Sequence, residues 1–373
     1  MRFRARTDQW TLVLVCALYA AVVIPIGIHQ GGDFTSELRQ SERLLHGLPL
    51  YVANPEKGIW WPPFTALGLV PFALVARWSL ALSKACWATL NVACLGWSLG
   101  RARGWATGWT PIVLALAAVG KPVQSNFEYL NLTPILLALL VATAADLEAG
   151  RESRAGAGIG LATAIKGFPA LLLLYLAYRR RWRGLATGIA VAGALTVGAM
   201  LPYGPVGAVR ALGDWLRLST QDEMFTRLGS QSLRGFTFFF GWPPWVVWLA
   251  EVACLCAVLI ALQRTTREGD AFYEVGLAAL LAVLLSPIAW PYYYALAVPA
   301  WLVVLTRPTP PSPRARYLRG ATLILAGTLT SGALTFSSYP AFLWFIRNAT
   351  YTWGGLLLLS VLIAEREFQP QAA

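Results

Sequence analysis

The chain has 373 residues, 57% of them hydrophobic and 13% charged, with a net charge of +12 and a mean hydropathy of +0.56. A soluble domain carries about a quarter charged residues, and apolar runs approaching the ~20 residues that cross a bilayer recur along the whole chain, which excludes a soluble globular protein. The runs are continuous rather than alternating, which excludes a β-barrel; what remains is an all-α polytopic membrane protein of about 11–13 transmembrane or re-entrant helices.

Arginine concentrates in short loops: MRFRAR at the start, Arg179–Arg183, Arg264–Arg267 and Arg307–Arg319. That is the positive-inside pattern, placing these loops in the cytoplasm, and it makes membrane lipids rather than nucleic acid the expected partners of the charge. The chain reads as a single integral membrane domain over residues 1–373. Its first apolar run is long enough to stay as an anchor rather than be cleaved as a signal peptide. Cys16, Cys86, Cys94, Cys254 and Cys256 all lie in apolar runs and read as small buried hydrophobes, with no disulfide framework. His29 and His46 are too few for a histidine-rich metal site; no metal and no cofactor are expected.

In chain order the predicted apolar segments are Trp10–Ile28, Pro62–Val75, Leu82–Leu99, Pro111–Val119, Leu132–Ala145, Gly156–Leu176, Leu185–Leu201, Pro244–Leu262, Ala271–Leu285, Tyr292–Val304, Ala321–Ala333 and Ala341–Ile363. Several are short for a full span, which fits half-helices or re-entrant pieces lining a cavity. Two hydrophilic stretches interrupt them on the non-cytoplasmic side, residues 29–61 and residues 203–243, and suggest a site assembled at the outer face.

The first of these stretches holds the sharpest candidate. Asp33 follows directly on the first apolar run, where a membrane helix emerges into water. Phe34 to His46 then reads as a short interfacial helix, with Phe34, Leu38 and Leu45 on one side and Glu37, Arg39, Gln40, Glu42 and Arg43 elsewhere, ended by Gly47 and Pro49. Asp33 has two readings: the N-cap of that helix, or a general base that takes the proton of an attacking hydroxyl. The run Lys121–Pro134 carries Gln124, Asn126, Glu128 and Asn131, suited to sugar hydroxyls, and on its own reads as a loop. Lys166 is the only charge between Arg154 and Arg179, beside the helix breakers Gly167 and Pro169. An ammonium there is either a phosphate binder or a snorkelling or paired lysine. Arg234, in GSQSLRGF, offers a planar fork for phosphate or serves as an ordinary interfacial arginine. The aromatics of SPIAWPYYYAL, Ser286–Leu296, read as interface anchors with a stacking surface.

These strings occur in a characteristic order. An early Asp-Phe is followed by LLHGLPLY and then WPPF; next come AGAGIGLATAIKGFP with YRRRWR, then SQSLRG and LSPIAW. Over roughly Gly31 to Leu296 the chain resembles the polytopic GT-C glycosyltransferases, and within them the polyprenyl-phosphate-sugar-dependent family 87. That family includes mycobacterial α-1,2-mannosyltransferases and arabinofuranosyltransferases. The resemblance implies inverting transfer of a sugar, mannose above all, from a polyprenyl-phosphate-sugar donor to a glycolipid or glycan acceptor at the outer face of a cell membrane. It implies Asp33 as general base and Lys166 and Arg234 as binders of the donor phosphate. Substrate contacts on the same reading are Arg39, Trp61, Gln124, Asn126, Gln231, Trp290, Tyr292 and Tyr293. The chain departs from its relatives in two places. Many have histidine just after S-P-I-S-W, where this chain has Tyr292 and Tyr293, and many show G-Q-x-N where it has Leu130-Asn131-Leu132-Thr133. The competing readings are a lipid or sugar transporter or flippase, and a catalytically silent subunit of an envelope-assembly complex.

Overall fold

A computed structural model describes residues 2–51, 61–106, 108–220, 229–263, 270–336 and 338–364. In chain order the helices are α1 (Arg2–His29), α2 (Gly32–Leu45), α3 (Pro63–Gly68), α4 (Val70–Ala76), α5 (Leu80–Ala102), α6 (Trp109–Ala118), α7 (Gly120–Tyr129), α8 (Thr133–Glu148), α9 (Glu152–Ile165) and α10 (Leu171–Tyr178). They continue with α11 (Trp182–Met200), α12 (Gly204–Thr220), α13 (Gly235–Phe240), α14 (Pro244–Gln263), α15 (Ala271–Leu284), α16 (Val298–Thr306), α17 (Pro313–Ser331), α18 (Tyr339–Arg347) and α19 (Thr350–Ala364). Proline opens several of them, as at Pro63, Pro299 and Pro313, where a missing N–H costs nothing. Ser312 and Ser338 cap α17 and α18 through their hydroxyls, which accept from the amides of Ala315 and Ala341.

Among the described residues three helical stretches are long and apolar enough to cross a membrane: Trp10–His29, Trp182–Leu218 and Pro244–Gln263. Only 11%, 22% and 22% of their most apolar windows are buried inside the protein. Hydrophobic side chains such as Leu14, Leu18, Ile189 and Trp248 therefore face outward, where lipid rather than water is the solvent they suit. The chain is an all-helical membrane protein.

Several segments differ from the sequence expectation. Lys121–Pro134 is no loop: α7 occupies Gly120–Tyr129, a helix whose polar composition hid it from a hydrophobicity reading. Gly156–Leu176 divides into α9 and α10 around Lys166, and Ala341–Ile363 divides into α18 and α19 around Ala349, which has positive φ. The stretch 203–243 contains α12 and α13. Cys86 and Cys256 are exposed rather than buried, on membrane helices whose outer faces are themselves apolar. Trp60 and the Arg264–Arg267 loop lie outside the described residues.

The chain packs as two compact units interleaved in sequence: one of residues 1–100, 124–146 and 150–221, the other of 101–123, 147–149 and 222–373. In the first, α9 and α11 meet through glycine. Gly156 and Gly160 sit against the backbone of Gly184 and Gly188, so close that a Cβ on either would collide with a carbonyl oxygen. This is the small-residue spacing by which membrane helices approach each other, since lipid supplies no hydrophobic drive between them. Phe34 of α2 stacks on Trp87 of α5 at 5.3 Å, and Phe72 of α4 packs edge-on against both, locking α2 to the helices beneath it. In the second unit α15 is buried on every side, as a central helix must be. Trp105 stacks on Phe272 at 4.2 Å, and the Tyr273 hydroxyl donates to the Leu362 carbonyl.

Candidate active site

Two residues separate the end of α1 from the start of α2, and the junction is built for a close turn. Gly31 has φ 30° and serves as N-cap without a side-chain cap. A Cβ there would come within 2.5 Å of the Gly27 carbonyl, so only glycine fits. The Lys84 ammonium donates to the Ile28 carbonyl at 3.0 Å and closes the last turn of α1. Asp33 is therefore not the N-cap expected as one reading of the sequence. It lies one position inside the helix, in the first turn, where the helix dipole favours a carboxylate.

The Asp33 side chain is held from a distant part of the chain. Asn131 Nδ2 donates to Asp33 Oδ2 at 2.9 Å, while Asn131 Oδ1 accepts from the Leu132 amide at 2.9 Å. The second bond fixes which end of the amide faces Asp33. Asn131 is aimed by the end of α7. Its own N–H donates to the Asn126 carbonyl at 2.9 Å, and the intervening Leu130 has φ 52°, an arrangement in which glycine is the usual residue. Leucine is kept there by shape: fully buried, it fits against Gly27 and Gly31, and a Cβ on Gly27 would fall 2.5 Å from Leu130 Cδ2. Trp87 Nε1 donates to the Leu130 carbonyl at 2.9 Å and completes the seat.

Lys166 joins the same unit. It terminates α9 with extended backbone, and Thr65 Oγ1 donates to the Ile165 carbonyl at 2.8 Å. Its Nζ lies 4.1 Å from the centre of the Trp61 ring, a cation–π distance. Trp61 is itself fixed, buried, with its carbonyl accepting from the Tyr51 hydroxyl at 2.8 Å. Lys166 is close enough to Asp33 and Glu37 for both carboxylates to act on its charge.

Glu37 is the residue the sequence reading passed over. It lies one helical turn from Asp33, on the stripe that also carries Gln40 and Leu44, and is only 3% exposed. Burial pushes its carboxyl well above the ordinary carboxylate range; the Lys166 charge opposes the shift and the Asp33 charge reinforces it. The shift favours the protonated form of Glu37, the form that can donate a hydrogen bond. Gln40 is fully buried with neither amide atom partnered among the described residues. The expected amphipathicity of α2 is accordingly inverted in part: Glu37 and Gln40 point inward, and Leu45 is 41% exposed. The usable signal is spacing, since Asp33, Glu37 and Gln40 share one helical face.

The remaining candidates divide. Asn126 caps α8, its Oδ1 accepting from the Thr133 amide at 3.0 Å. Gln124 donates to Glu128 Oε1 at 2.9 Å along α7. Arg39 is exposed, off the stripe that carries Asp33. The second unit brings Gln231, Arg234, Trp290, Tyr292 and Tyr293 into its own neighbourhood. Gln231 braces it: Nε2 donates to the Ile346 carbonyl at 3.0 Å, and the Gln231 carbonyl accepts from Tyr294 at 2.8 Å. The Trp290 ring covers Gly229, and Tyr292 and Tyr293 are buried edge-to-face at 4.9 Å. Arg234 pairs with Glu251 at 3.0 Å and lines a cavity of about 440 Å³ with Thr237, Phe238 and Trp248.

A membrane-embedded helical protein with a braced carboxylate beside a cation and a tryptophan face has the equipment of an integral membrane transferase. Residues 60–287, well over half of the chain, match the model of glycosyltransferase family 87, and the chain belongs to that family. It is a glycosyltransferase. Asp33 and Glu37 precede the matched stretch. The chain is 29% identical over 325 residues to a polyprenol-phosphate-mannose-dependent α-(1-2)-phosphatidylinositol pentamannoside mannosyltransferase of Mycolicibacterium smegmatis, covering 82% of this chain and 74% of that protein. It is 25% identical over 326 residues to an α-(1->3)-arabinofuranosyltransferase of Corynebacterium glutamicum, covering 79% and 72%. Among solved structures it is similar to ArnT from Cupriavidus metallidurans bound to undecaprenyl phosphate, at 18% identity and a TM-score of 0.43, over 96% of this chain and 78% of that one.

Proposed function

We propose that the chain transfers mannose from a polyprenyl-phosphate donor to a hydroxyl of a glycolipid or glycan acceptor at the outer membrane face, with inversion. Asp33 takes the proton of the acceptor hydroxyl as its oxygen attacks the anomeric carbon. Asn131 orients the carboxylate through one of its oxygens. The bond between the anomeric carbon and the phosphate oxygen breaks, and the polyprenyl phosphate leaves with the bonding pair. Lys166 stabilises the negative charge that develops on it. The protonated Glu37 donates to a sugar or phosphate oxygen, and the Trp61 face packs against the sugar ring.

The observation that carries this reading is the Asp33–Asn131 bond, formed between residues 98 positions apart and next to Lys166. A helix-capping aspartate has no use for such a partner. The polyprenol-phosphate-mannose dependence of the similar mannosyltransferases supports the donor. The test is transfer of mannose from synthetic polyprenyl-phosphate mannose by the purified protein, with Asp33→Asn alongside. General-base removal lowers the rate about 10²–10⁴-fold; a wild-type rate in D33N overturns the assignment.

A further inference from the structure

A second charged site lies at the other end of α9. Gly150, Arg151, Glu152, Ser153, Arg154, Arg180, Trp182 and Arg183 line a cavity of about 740 Å³. α9 starts at Glu152 and ends against Lys166, so its 14 residues set this cavity about 21 Å along the helix from the candidate active site. Two helix N-termini, those of α9 and α11, open into it, and neither N-cap residue supplies a side-chain acceptor. Their first-turn amides and positive dipole ends suit an anion.

The arginines exceed their partners. Arg151 and Arg154 share one carboxylate, Asp146, at 2.7 and 3.7 Å, and Arg181 reaches Glu152 at 3.8 Å. Arg180 and Arg183 form no ion pair among the described residues and are exposed at the rim. Five arginines thus face two carboxylates. Arg180 also has φ 55°, a conformation that suits glycine better than arginine.

The surroundings distinguish a lipid from a free anion. Trp182 on the wall is 60% exposed, and the outer faces of α10 and α11 continue as bare hydrocarbon at Leu174 and Ile189, exposed by 60% and 56%. A headgroup in the cavity would leave its acyl chains along that surface, with Trp182 at the level of the glycerol. The Arg180–Arg183 wall of the cavity belongs to one of the arginine-rich loops that the charge rule assigns to the cytoplasmic side, where anionic lipid headgroups are expected.

We propose that this cavity binds the phosphate headgroup of an anionic phospholipid of the cytoplasmic leaflet. It is distinct from the donor site and supports α9 from the end opposite Lys166.

The test is native mass spectrometry of the purified full chain in detergent with added phosphatidylglycerol or phosphatidylcholine. Three proteins are compared: wild type, Arg180→Gln/Arg183→Gln, and Arg314→Gln/Arg316→Gln, the last removing the same charge from exposed positions on α17. Wild type and the α17 variant should retain phosphatidylglycerol over phosphatidylcholine. The cavity variant should lose that retention by about 30-fold, the worth of two arginines against an anionic headgroup. Equal retention in the cavity variant overturns the proposal, as does equal loss in the α17 variant, which would mean bulk charge. Displacement of phosphatidylglycerol by equimolar glycerol phosphate or inorganic phosphate also overturns it, because the cavity would then take a soluble anion. These readouts do not involve glycosyl transfer, so they stand or fall apart from the proposed reaction.

Discussion

Replacing Asn131 tests whether Asp33 is held for chemistry or merely accommodated. Asn131→Leu keeps the volume of the side chain and removes the donor to Asp33 Oδ2. A hydrogen bond to a charged group is worth about 1.5–3 kcal/mol, or roughly 10- to 150-fold in kcat/KM if it is fully used in the transition state. Asp33 is half-buried, so water replaces part of the lost interaction and the lower part of that range, about 10- to 30-fold, is expected. The variant also leaves the buried Leu132 amide without its acceptor, which destabilises the fold by about 1–3 kcal/mol. The two effects separate in the assay. Mannose transfer by the purified variant is measured well below its melting temperature, with elution on size exclusion as the fold control. Rate loss should persist at temperatures where the protein is fully folded. If N131L transfers mannose like wild type while D33N is inactive, the Asp33–Asn131 bond has no catalytic role and the positioning argument is wrong.

Glu37→Gln keeps a donor at the same place and should retain transfer within about 3-fold, whereas Glu37→Ala should lose 10-fold or more; equal losses would remove the protonated-carboxyl role. Because the folded state keeps the Glu37 proton where the unfolded chain has released it, this residue's contribution to stability is present below the ordinary carboxylate range and falls as pH rises above it. The melting temperature of wild type should therefore drop relative to E37Q between acid and neutral pH, and a constant difference would contradict the shift. Lys166→Met should lower transfer by about 10²–10³-fold, as for loss of one transition-state charge donor, and undiminished transfer would exclude it from the phosphate site. Gly160→Val drives a side chain into the Gly188 carbonyl and should destabilise the protein by more than about 3 kcal/mol. Gly193→Ala, on α11 with no neighbour within 4 Å of the added Cβ, should be neutral or stabilising by up to ~1 kcal/mol. Thermal denaturation in detergent compares them, and similar melting temperatures would refute the tight α9–α11 contact.

What could be read from the sequence was whatever rests on local pattern. Continuous apolar runs state their own solvent, so the membrane class and most helices were legible. Asp33 stands out as a carboxylate placed for proton chemistry where a membrane segment emerges into water, and Lys166 because a lone ammonium in an apolar run is expensive. Its neighbours were less legible. Asn131 reaches Asp33 across 98 positions of chain, and no periodicity connects them. Aligning α2 on Phe34, Leu38 and Leu45, a sound rule for a helix lying on a membrane, sets Glu37 away from the apolar side. The rule fails because α2 buries Glu37 and Gln40 along with Phe34 and Leu38 and leaves Leu45 outside. α7 is hard to see for the opposite reason: its only apolar stripe is Val123, Phe127 and Leu130 in an otherwise polar stretch, and its C-terminal end is marked by a leucine where a glycine would have announced the stop.

That leucine ties a membrane anchor to the site. Leu130 can hold its left-handed turn only while Gly27 and Gly31 leave room for it, and Asn131 faces Asp33 only while Leu130 stays seated. A methyl group added at Gly27, inside a transmembrane helix, should therefore impair the enzyme as an active-site lesion would. Its effect should be strongly non-additive with truncation of Leu130, because the smaller side chain would relieve the clash it creates. The three positions form one steric unit, in which a larger residue at either glycine calls for a smaller one at 130.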